Sequence, residues 1–487
     1  MRLGLLCWMA CAGAPDDTPK ASPDSAPPPA STPTPTPTTT DSPTDTAPPP
    51  PALVALGPNA LQLTAPGPLA GTCSSPDDLL EAHTFATDGS VVDIRGLLAN
   101  TAYSCVVAGL TLSATTEPLP DWVPPTTVAG APLSPGYTLF NHWVGVAEAP
   151  QEGAVLVDPE GRPRWVHAYA EPPGGVGVDL AFVPPDAVLI GGTVKREPRV
   201  IGLDHVERRV LPSCFTGRSH HHHAEPLPDG DLLVLCNAAA ASGDDSWEGF
   251  GIQRVAADDG LPFTWDAQTA LDAGTLPPAP DVDTDDWWHA NSVSYVPDDP
   301  DGPAYWVSLR IQSQIIRVDA ASGEVTWRLG PFGDFVLLDT DGRVADPRRW
   351  WFGQHDPEVA LPRVLVHDNG FGRPGAGLPS RTVEVELDIP QRTARIVWEH
   401  DWVDRYEPLF GDSDRLPDGG VLIAQGRCYG CPDGGLDPGR QARIAEVAPD
   451  GSERWALTLT NPDHSLYRAE RIDGCAVFAN QRYCPVR

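Results

Sequence analysis

Two short patterns of apolar and polar residues alternate along the chain from residue 121 to its end. The first is a turn followed by an apolar run, as in LPDGDLLVL (227–235). The second alternates apolar with polar residues through a tight turn, as in IIRVDAASGEVTW (315–327). Each pattern recurs six times: the first at 182–192, 227–235, 296–309, 361–368, 416–424 and 471–479, and the second at 155–165, 199–211, 252–265, 315–327, 383–398 and 444–455. Strands that repeat every ~40 to 70 residues are typical of antiparallel sheets arranged radially. We therefore predict an all-β fold with a six-bladed β-propeller over residues 121–487.

The preceding segment, residues 53–120, has its own strand pattern. The runs LQLTA, SVVDIRGLL and AYSCVVAGLTLSA have the composition of short strands. Within them, GLLANTAYSCVV resembles the fibronectin type III and immunoglobulin-like pattern, in which a tyrosine stands two residues before a cysteine, as Tyr103 does before Cys105. This segment predicts a small fibronectin-III or immunoglobulin-like β-sandwich that is short for seven strands.

Residues 1–52 have no pattern of a folded core. MRLGLLCWMACAG has one positive charge, a short apolar run and small residues around Cys11, so residues 1–11 resemble a bacterial lipoprotein signal with Cys11 as the acylated residue. A misplaced start codon is the alternative. Residues 12–52 are rich in Pro, Thr and Ser and predict a disordered stalk. Together they predict an exported protein, periplasmic or on the cell surface, that is held to a membrane by a lipid anchor.

The charge of the chain argues against a nucleic-acid partner. It has 66 acidic and 33 basic residues, which gives a formal net charge of −33. A surface of this sign repels a phosphate backbone.

The cysteines support an oxidising compartment. Without Cys7 in the signal and Cys11 on lipid, the cysteines that remain are even in number and locally spaced, which predicts disulfides. The predicted pairs are Cys73 with Cys105, Cys214 with Cys236, Cys428 with Cys431, and Cys475 with Cys484. The alternative for Cys428 and Cys431 is a zinc half-site, but the chain has no second CxxC to complete it.

Histidines recur beside polar residues near the starts of predicted strands. RSHHHHAEPLPDGD contains His222, DDWWHANSVSYVP contains His289 and Asn291, and RRWWFGQHDPEV contains His355. YWVSLRIQSQIIRVD adds Arg310. A propeller would bring these segments together at one mouth of its central channel.

These segments resemble the bacterial arylsulfate sulfotransferase family, also called arylsulfotransferases (ASST). The matching motifs, in order, are a His-rich step before LPDGD, HANS followed by SLRIQSQIIRVD, QHD followed by VHDNG, and DRLPDGGVLIAQG. The resemblance covers about residues 121–487.

The resemblance implies transfer of a sulfuryl group from an aryl sulfate to a phenol by a ping-pong route through a sulfated histidine. It places the nucleophile at His355 and its helpers at His222, His289, Asn291 and Arg310. Counting back from LPDGD leaves the position of the active histidine within 220–223 open by one residue. The resemblance implies neither a nucleotide sulfate donor (PAPS) nor a metal catalyst, and thus no cofactor.

The chemistry of these side chains agrees with those roles. A neutral imidazole is a nucleophile near neutral pH, and Arg310 beside His355 would disfavour its protonation. A guanidinium suits two oxygens of the transferred group, and Asn291 could donate to the third. His289 or His222 could protonate the departing phenolate and deprotonate the acceptor.

Other neighbours of the motifs are candidates for substrate binding. Trp288 and Trp351 could stack on the aryl ring, although packing within the protein explains each of them equally well. Ser413 stands where the family often has a basic or hydroxyl group for the donor, and the adjacent Asp412 would repel a sulfate.

Rival interpretations remain. Four adjacent histidines, His220 to His223, can bind zinc or nickel, and DVDTDD (281–286) resembles a calcium loop without its glycine and glutamate. A non-catalytic propeller for adhesion or scaffolding is the second rival. A quinone enzyme is the third, but it would usually have eight repeats. The sequence leaves open a homodimer and transfer to water instead of a phenol.

Overall fold

The computed structural model describes residues 50–78, 83–144, 152–169, 179–192, 197–242, 245–277, 286–375, 379–402, 406–426, 441–461, 464–475 and 477–478. Their regular structure is almost entirely β-strand, as predicted. Helix α1 (Ala267–Asp272) and a 3-10 turn (Pro347–Arg349) are the helical elements in these ranges. Neither has the length or the apolar character that crossing a membrane would need, and this holds for every described helix.

The N-terminal described residues form two sheets that share one buried core. Their strands are β1 (Ala52–Gly57), β2 (Ala60–Thr64), β3 (Leu69–Ser74), β4 (His83–Thr87), β5 (Val91–Arg95), β6 (Ala102–Val107) and β7 (Leu110–Thr115). The sheet orders are β1-β2-β5 and β4-β3-β6-β7. Leu61 and Ile94 of one sheet pack against Tyr103 and the Cys73–Cys105 disulfide of the other. The Tyr103 hydroxyl accepts the Leu98 N–H at 2.9 Å, which ties the strand to the preceding loop.

The rest of the described chain contains six further sheets. Their strands are β8 (Thr126–Gly130), β9 (Gly136–Val144), β10 (Glu152–Val157), β11 (Pro163–Ala168), β12 (Leu180–Val183), β13 (Ala187–Ile190), β14 (Arg199–Gly202), β15 (Glu207–Val210), β16 (His220–Pro226), β17 (Leu232–Ser242), β18 (Asp245–Val255), β19 (Phe263–Asp266), β20 (Ala290–Val296), β21 (Ala304–Leu309), β22 (Gln314–Asp319), β23 (Val325–Leu329), β24 (Val336–Leu338), β25 (His355–Ala360), β26 (Arg363–Asp368), β27 (Arg381–Asp388), β28 (Thr393–Asp401), β29 (Asp412–Arg415), β30 (Val421–Gln425), β31 (Arg443–Val447), β32 (Glu453–Leu459), β33 (His464–Ser465) and β34 (Ala469–Asp473). The sheets are β9–β11 with β33 and β34, β12–β15, β16–β19, β20–β23, β25–β28 with β24 added in parallel, and β29–β32 with β8. The second sequence pattern supplies the third and fourth strands of all six sheets, and the first pattern supplies the second strand of five of them. Its sixth occurrence, at 471–479, instead begins at the end of β34, and β9 provides the second strand of that sheet.

Each sheet packs on the next through a buried hydrophobic cluster. The clusters join β9–β11 to β12–β15, β12–β15 to β16–β19, β16–β19 to β20–β23, β20–β23 to β25–β28, β25–β28 to β29–β32, and β29–β32 back to β9–β11. Trp165, Trp265, Trp327 and Trp455 are buried in these clusters. The recurrent tryptophans therefore pack between sheets.

The first strands of the sheets contact each other in series. β12 contacts β16, β16 contacts β20, β20 contacts β25, and β25 contacts β29, while β34 contacts both β30 and β12. Residues that begin these strands are consequently close in space although they are far apart in sequence.

Both ends of this region complete sheets built by distant residues. β8 pairs with β32, with Ala129 opposite Ala456, and β34 pairs with β9, with Arg471 opposite Thr138. Two different sheets thus hold β8 and β34 in place.

Two of the four predicted disulfides lie in the described residues. Cys73 bonds Cys105 and Cys214 bonds Cys236, as predicted. Cys475 is also disulfide-bonded. The remaining cysteines of the prediction, Cys11, Cys428, Cys431 and Cys484, lie outside the described residues, as do the signal and nearly all of the stalk.

Candidate active site

Three consecutive first strands carry the same backbone irregularity. His222, His289 and Asp356 have φ values of 53°, 41° and 41°. The pairing of β16 and β25 with their neighbours shifts register at His222 and Asp356, and that of β20 shifts just after His289, between Ala290 and Ser292. A left-handed conformation is unfavourable for residues with a Cβ and often accompanies functional sites. The irregularity lies in the segments that the motifs had singled out.

The His355 imidazole is held in one tautomer. Its Nδ1 lies 2.8 Å from Asn369 Oδ1, and the Asn369 amide nitrogen donates to the carbonyls of Glu407 and Phe410 at 2.7 and 2.6 Å. Because both amide hydrogens have carbonyl acceptors, the amide oxygen must face His355. His355 Nδ1 therefore carries the proton, and Nε2 keeps the lone pair.

The His355 imidazole is also held neutral. The side chain is 1% exposed. Burial first, and then the positive charge of Arg310, place the pKa of His355 well below its ordinary value. A neutral buried imidazole with its lone pair on Nε2 can act as a nucleophile.

Arg310 is anchored on three sides. Its backbone N–H donates to the His289 carbonyl at 3.1 Å, and its Nη2 donates to the Pro408 carbonyl at 3.0 Å. The guanidinium carbon lies 4.7 Å from the centre of the Phe371 ring. These contacts fix a buried positive charge close to His355 and His289, where an anion would be attracted.

The other predicted histidines meet around Tyr467. The His222 ring lies 5.3 Å from the His289 ring and stacks on the Tyr467 ring at 5.6 Å. The His355 ring meets the Tyr467 ring edge-on at 6.0 Å. His289 Nδ1 donates to Asp286. The structure thus brings His222, His289, His355 and Arg310 into one group.

Asn291 lies beneath this group. Its amide nitrogen donates to the Gln354 carbonyl at 2.7 Å, next to His355, and its own carbonyl accepts from Arg468 at 2.9 Å. The amide oxygen has no hydrogen-bond partner among the described residues. One of the two N–H groups of the Asn291 amide, which the sequence assigns to a substrate oxygen, is consequently engaged with backbone here.

Ser413 and Asp412 lie on the neighbouring strand β29. Ser413 is buried, and its hydroxyl lies 2.9 Å from Thr382 Oγ1 and 3.3 Å from His367 Nδ1. Burial, and then the nearby charges of Asp414 and Asp356, raise the pKa of Asp412 well above its ordinary value. A carboxyl group whose pKa is raised repels an anion less than the sequence alone suggests.

Trp288 and Trp351 are fully buried in the hydrophobic clusters that flank β20–β23. Trp288 meets Trp247 edge-on at 5.8 Å, and Trp351 meets Trp350 edge-on at 5.0 Å. These environments favour a packing role. Their binding of a substrate ring stays a prediction.

Sequence reasoning missed Asn369, Tyr467 and Arg468. Asn369 belongs to VHDNG, one of the motifs that carry the family resemblance, and that motif is the signal by which the sequence could have identified it. Tyr467 and Arg468 stand just before β34, the position equivalent to the histidines of the other sheets. Arg468 Nη1 lies 2.7 Å from Asp179 and 2.9 Å from Asp356. Arg468 thus links three sheets beneath Tyr467.

A cavity of about 480 Å³ adjoins this group on the side of Arg468. Its walls are strongly acidic and include Asp179, Glu358, Asp414 and Glu470. The cavity does not include His355 or Arg310 among its lining residues. An anionic substrate therefore fits the histidine group better than it fits this cavity.

Three sets of side chains have the proximity that a metal ion would need within the described residues. They are Cys214 with His220 and Cys236, His221 with His222 and His289, and Asp356 with Asp412 and Asp414. The first set offers no thiolate because its cysteines form a disulfide. The three-histidine set overlaps the candidate site.

Comparisons with known proteins agree with the motifs. A family model for arylsulfotransferases (ASST) matches residues 139–468. No curated protein matches the chain.

Solved structures give only distant likenesses. A Bacteroides caccae protein of unknown function is 12% identical, with a TM-score of 0.45 over 69% of this chain and 98% of that one. A Pseudomonas aeruginosa periplasmic gluconolactonase is 14% identical, with a TM-score of 0.34 over 69% of this chain and 99% of that one. A putative 6-phosphogluconolactonase from Bacteroides fragilis is 11% identical, with a TM-score of 0.36 over 84% and 98% of the two chains. Likenesses at this level carry no argument about this chain.

Fold and site together define an all-β protein with a buried, histidine-rich group and an arginine suited to an anion. The family match spans more than half of the chain, so the protein belongs to the arylsulfotransferase (ASST) family. Membership of this family implies a sulfotransferase enzyme.

Proposed function

We propose that the protein is a PAPS-independent aryl-sulfate sulfotransferase that moves a sulfuryl group from an aryl sulfate to a phenol through a sulfohistidine at His355. The observation that carries the proposal is the His355 environment. Asn369 directs the lone pair to Nε2, and burial with Arg310 keeps the imidazole neutral. An unprotonated Nε2 beside a fixed positive charge is the arrangement that attack on a sulfate ester requires.

In the first half-reaction, His355 Nε2 forms a bond to sulfur while the bond from sulfur to the phenolic oxygen breaks. The phenolate leaves with the electron pair and takes a proton from His289 or His222. Arg310 holds the equatorial oxygens of the transferred group, and Asn291 contributes if its amide turns from Gln354 towards the substrate. The Asp286 carboxylate accepts from His289 Nδ1 and so fixes the orientation of that ring.

In the second half-reaction, an acceptor phenol attacks the sulfur of the sulfohistidine. His289 or His222, left without its proton, accepts the phenolic proton, and His355 departs as a neutral imidazole. The same residues therefore serve both half-reactions, and no cofactor or metal takes part.

We also propose that the six sheets are the blades of a six-bladed β-propeller spanning residues 121–487. The closed succession of hydrophobic clusters and the serial contacts of the first strands support this arrangement. Residues 53–120 would be a fibronectin-III or immunoglobulin-like β-sandwich before it. The two disulfides support export to an oxidising compartment, and the lipid anchor at Cys11 and the stalk of residues 12–52 belong to the same proposal.

The proposal is tested with the full chain and a chromogenic aryl sulfate, without and with added phenol, in the presence of chelator. We expect one stoichiometric burst of chromophore without phenol and sustained, phenol-dependent release with it. Intact-protein mass should increase by one sulfuryl group on His355 during the burst. Sustained release without phenol would instead make water the acceptor.

Two variants locate the chemistry. His355→Ala should abolish the burst and the turnover, whereas His400→Gln, on the outer strand β28, should retain both. Arg310→Lys should lower turnover severely because a point charge cannot replace the planar guanidinium. Substantial transfer by folded His355→Ala would overturn the sulfohistidine, and no transfer from any aryl sulfate would favour the non-catalytic propeller.

A further inference from the structure

A cluster of three imidazoles lies at the edge of the candidate site, and the proposed transfer does not use one of them. The ring of His221 lies 3.9 Å from that of His222 and 5.4 Å from that of His289, and the rings of His222 and His289 are 5.3 Å apart. One ring nitrogen of each residue lies within 4.8 Å of the others. The transfer mechanism assigns no role to His221.

The backbone creates this cluster. Neighbouring side chains on a regular strand point to opposite faces, so His221 and His222 would normally diverge. The positive φ of His222 and the shift in register between β16 and β17 turn both rings to the same side. A conformation that costs free energy is therefore used where it gathers imidazoles.

Hydrogen bonds orient two of the three rings as they do in metal sites. His289 Nδ1 donates to the Asp286 carboxylate. A ring N–H of His221 donates to the backbone of Ala290. In each ring the second nitrogen is thereby left with a lone pair, and a carboxylate or carbonyl behind the imidazole is the usual outer partner of a metal-bound histidine.

We infer that His221, His222 and His289 bind a Zn²⁺-class divalent cation through three imidazole nitrogens, with the fourth position open. The inference has a second part, which rests on the proposed sulfuryl transfer. The bound cation inhibits that transfer by occupying the lone pairs of His222 and His289.

The chemistry of the ligands selects this class of cation. Three neutral imidazoles suit Zn²⁺, Cu²⁺ or Ni²⁺, whereas Ca²⁺ and Mg²⁺ require oxygen ligands. Zn–N distances of about 2.0 to 2.1 Å require ligand nitrogens closer together than the 4.8 Å within which these lie, so binding needs an adjustment of the side chains. Asp286 offsets the cation's charge, and Arg310 opposes it.

Direct binding tests the site independently of any activity. The chelator-treated full chain is titrated with Co²⁺, monitored by its visible absorption, and with Zn²⁺ by calorimetry. We expect one cation to bind per chain. The affinity should fall at least about 100-fold in His221→Ala, and about 10- to 100-fold in Asp286→Asn, which removes only the outer carboxylate.

His220→Ala is the matched control because His220 belongs to the same histidine run but lies outside the cluster. It should bind Zn²⁺ as the unaltered chain does. Absence of binding by the unaltered chain, or equal losses in His220→Ala and His221→Ala, would overturn the site. If His221→Ala fails to fold, unaltered binding by Asp286→Asn would overturn it.

Activity measurements test the inhibition by the cation. Zn²⁺ should inhibit transfer by the unaltered chain and by His220→Ala over the concentration range in which it binds, and should leave His221→Ala active. Binding without inhibition, or stimulation by Zn²⁺, would overturn the inhibitory role while the site itself stands. A chain that binds Zn²⁺ but transfers no sulfuryl group would contradict the proposed function alone.

Discussion

At the scale of single residues, the orientation of one amide decides which nitrogen of His355 is reactive. The Asn369 amide is fixed by two backbone carbonyls, so its oxygen can only accept, and the His355 proton stays on Nδ1. A nucleophile that required Nδ1 would be blocked by this contact. Asn369 is thus a positioning residue that acts through His355.

The replacement Asn369→Ala removes this control of the tautomer. We expect kcat for transfer to fall about 10- to 100-fold with little change in KM for the donor, because Arg310 still holds the sulfate. Steady-state kinetics with a chromogenic donor provide the measurement, and Asn237→Ala on β17 is the control for loss of a partly buried amide that donates to Ser219. A raised KM with an unaltered kcat would show that Asn369 does not act through His355.

The sequence identified His222, His289, His355 and Arg310 because each stands in a motif whose order is readable along the chain. It could not reveal that Asn291 donates to backbone or that the pKa of Asp412 is raised, because both depend on neighbours from other sheets. Tyr467 is neither a histidine nor a charged residue, so the sequence offers no reason to select it. Its importance comes from its position between His222 and His355.

Glu470 gives a pH-dependent contribution to stability with a defined sign. It lines the acidic cavity, and burial raises its pKa to about 7. Because this pKa lies above the unfolded value of about 4.3, the folded protein binds the extra proton. The contribution to stability is therefore complete below the unfolded pKa and is lost as pH rises through about 7.

Replacing Glu470 with Gln keeps an acceptor for the Phe182 N–H, which now donates to the carboxylate at 2.7 Å, and removes the titration. We expect Glu470→Gln to match the unaltered protein near pH 5 and to be more thermostable near pH 8. Thermal melts between these pH values provide the measurement. Parallel curves for the two proteins would mean that Glu470 does not titrate in this range.

At the scale of elements, the starts of the first strands are more informative than the strands themselves. The repeated patterns predict the sheets because alternating apolar residues and tight turns are local signals. The positive φ values at His222, His289 and Asp356, and the register shifts at or next to them, are not visible in the pattern because a positive φ leaves no trace in hydrophobicity. The site consequently depends on the irregular positions, where sequence reasoning is weakest.

Gly411, immediately before β29, is such a position. Its φ is 124°, and an added Cβ would overlap the His367 imidazole. Gly411→Ala should lower the melting temperature by several degrees, displace His367 from Ser413 and reduce transfer. Gly419 also has a positive φ, of 85°, but an added Cβ there has Pro449 as its nearest neighbour at 3.6 Å, so Gly419→Ala is the control for backbone strain.

Differential scanning calorimetry and steady-state kinetics on both glycine variants separate the two effects. The two variants share the cost of a left-handed conformation at a residue with a Cβ, and only Gly411→Ala adds the clash. Equal losses in the two variants would mean that the space beside His367 is not required.

At the scale of the whole molecule, one buried arginine joins the N-terminal sheets to the rest of the chain. Arg164 Nη1 and Nη2 donate to Asp78 at 2.8 and 2.9 Å, and its Nε donates to Asp158 at 2.8 Å. Although burial alone would raise it, hydrogen bonds from His83 and Arg164 hold the pKa of Asp78 well below its ordinary value. Composition and motifs could predict two folded units, but not this contact, because its partners are far apart in sequence.

The replacement Asp78→Asn tests whether this contact makes the two units unfold together. Removing one charge of a buried pair costs about 3 to 5 kcal/mol, since Arg164 keeps its charge and loses one carboxylate. We expect the N-terminal sheets to melt before the remainder in calorimetry, so that one transition becomes two, while transfer activity at room temperature is retained because no site residue contacts Asp78. Asp93→Asn is the control, since Asp93 pairs with Arg95 within the same sheets and is partly exposed.

A single transition at an unchanged temperature in Asp78→Asn would mean that the apolar surfaces alone couple the two units. Loss of activity without unfolding would mean that the N-terminal sheets influence the histidine group at a distance.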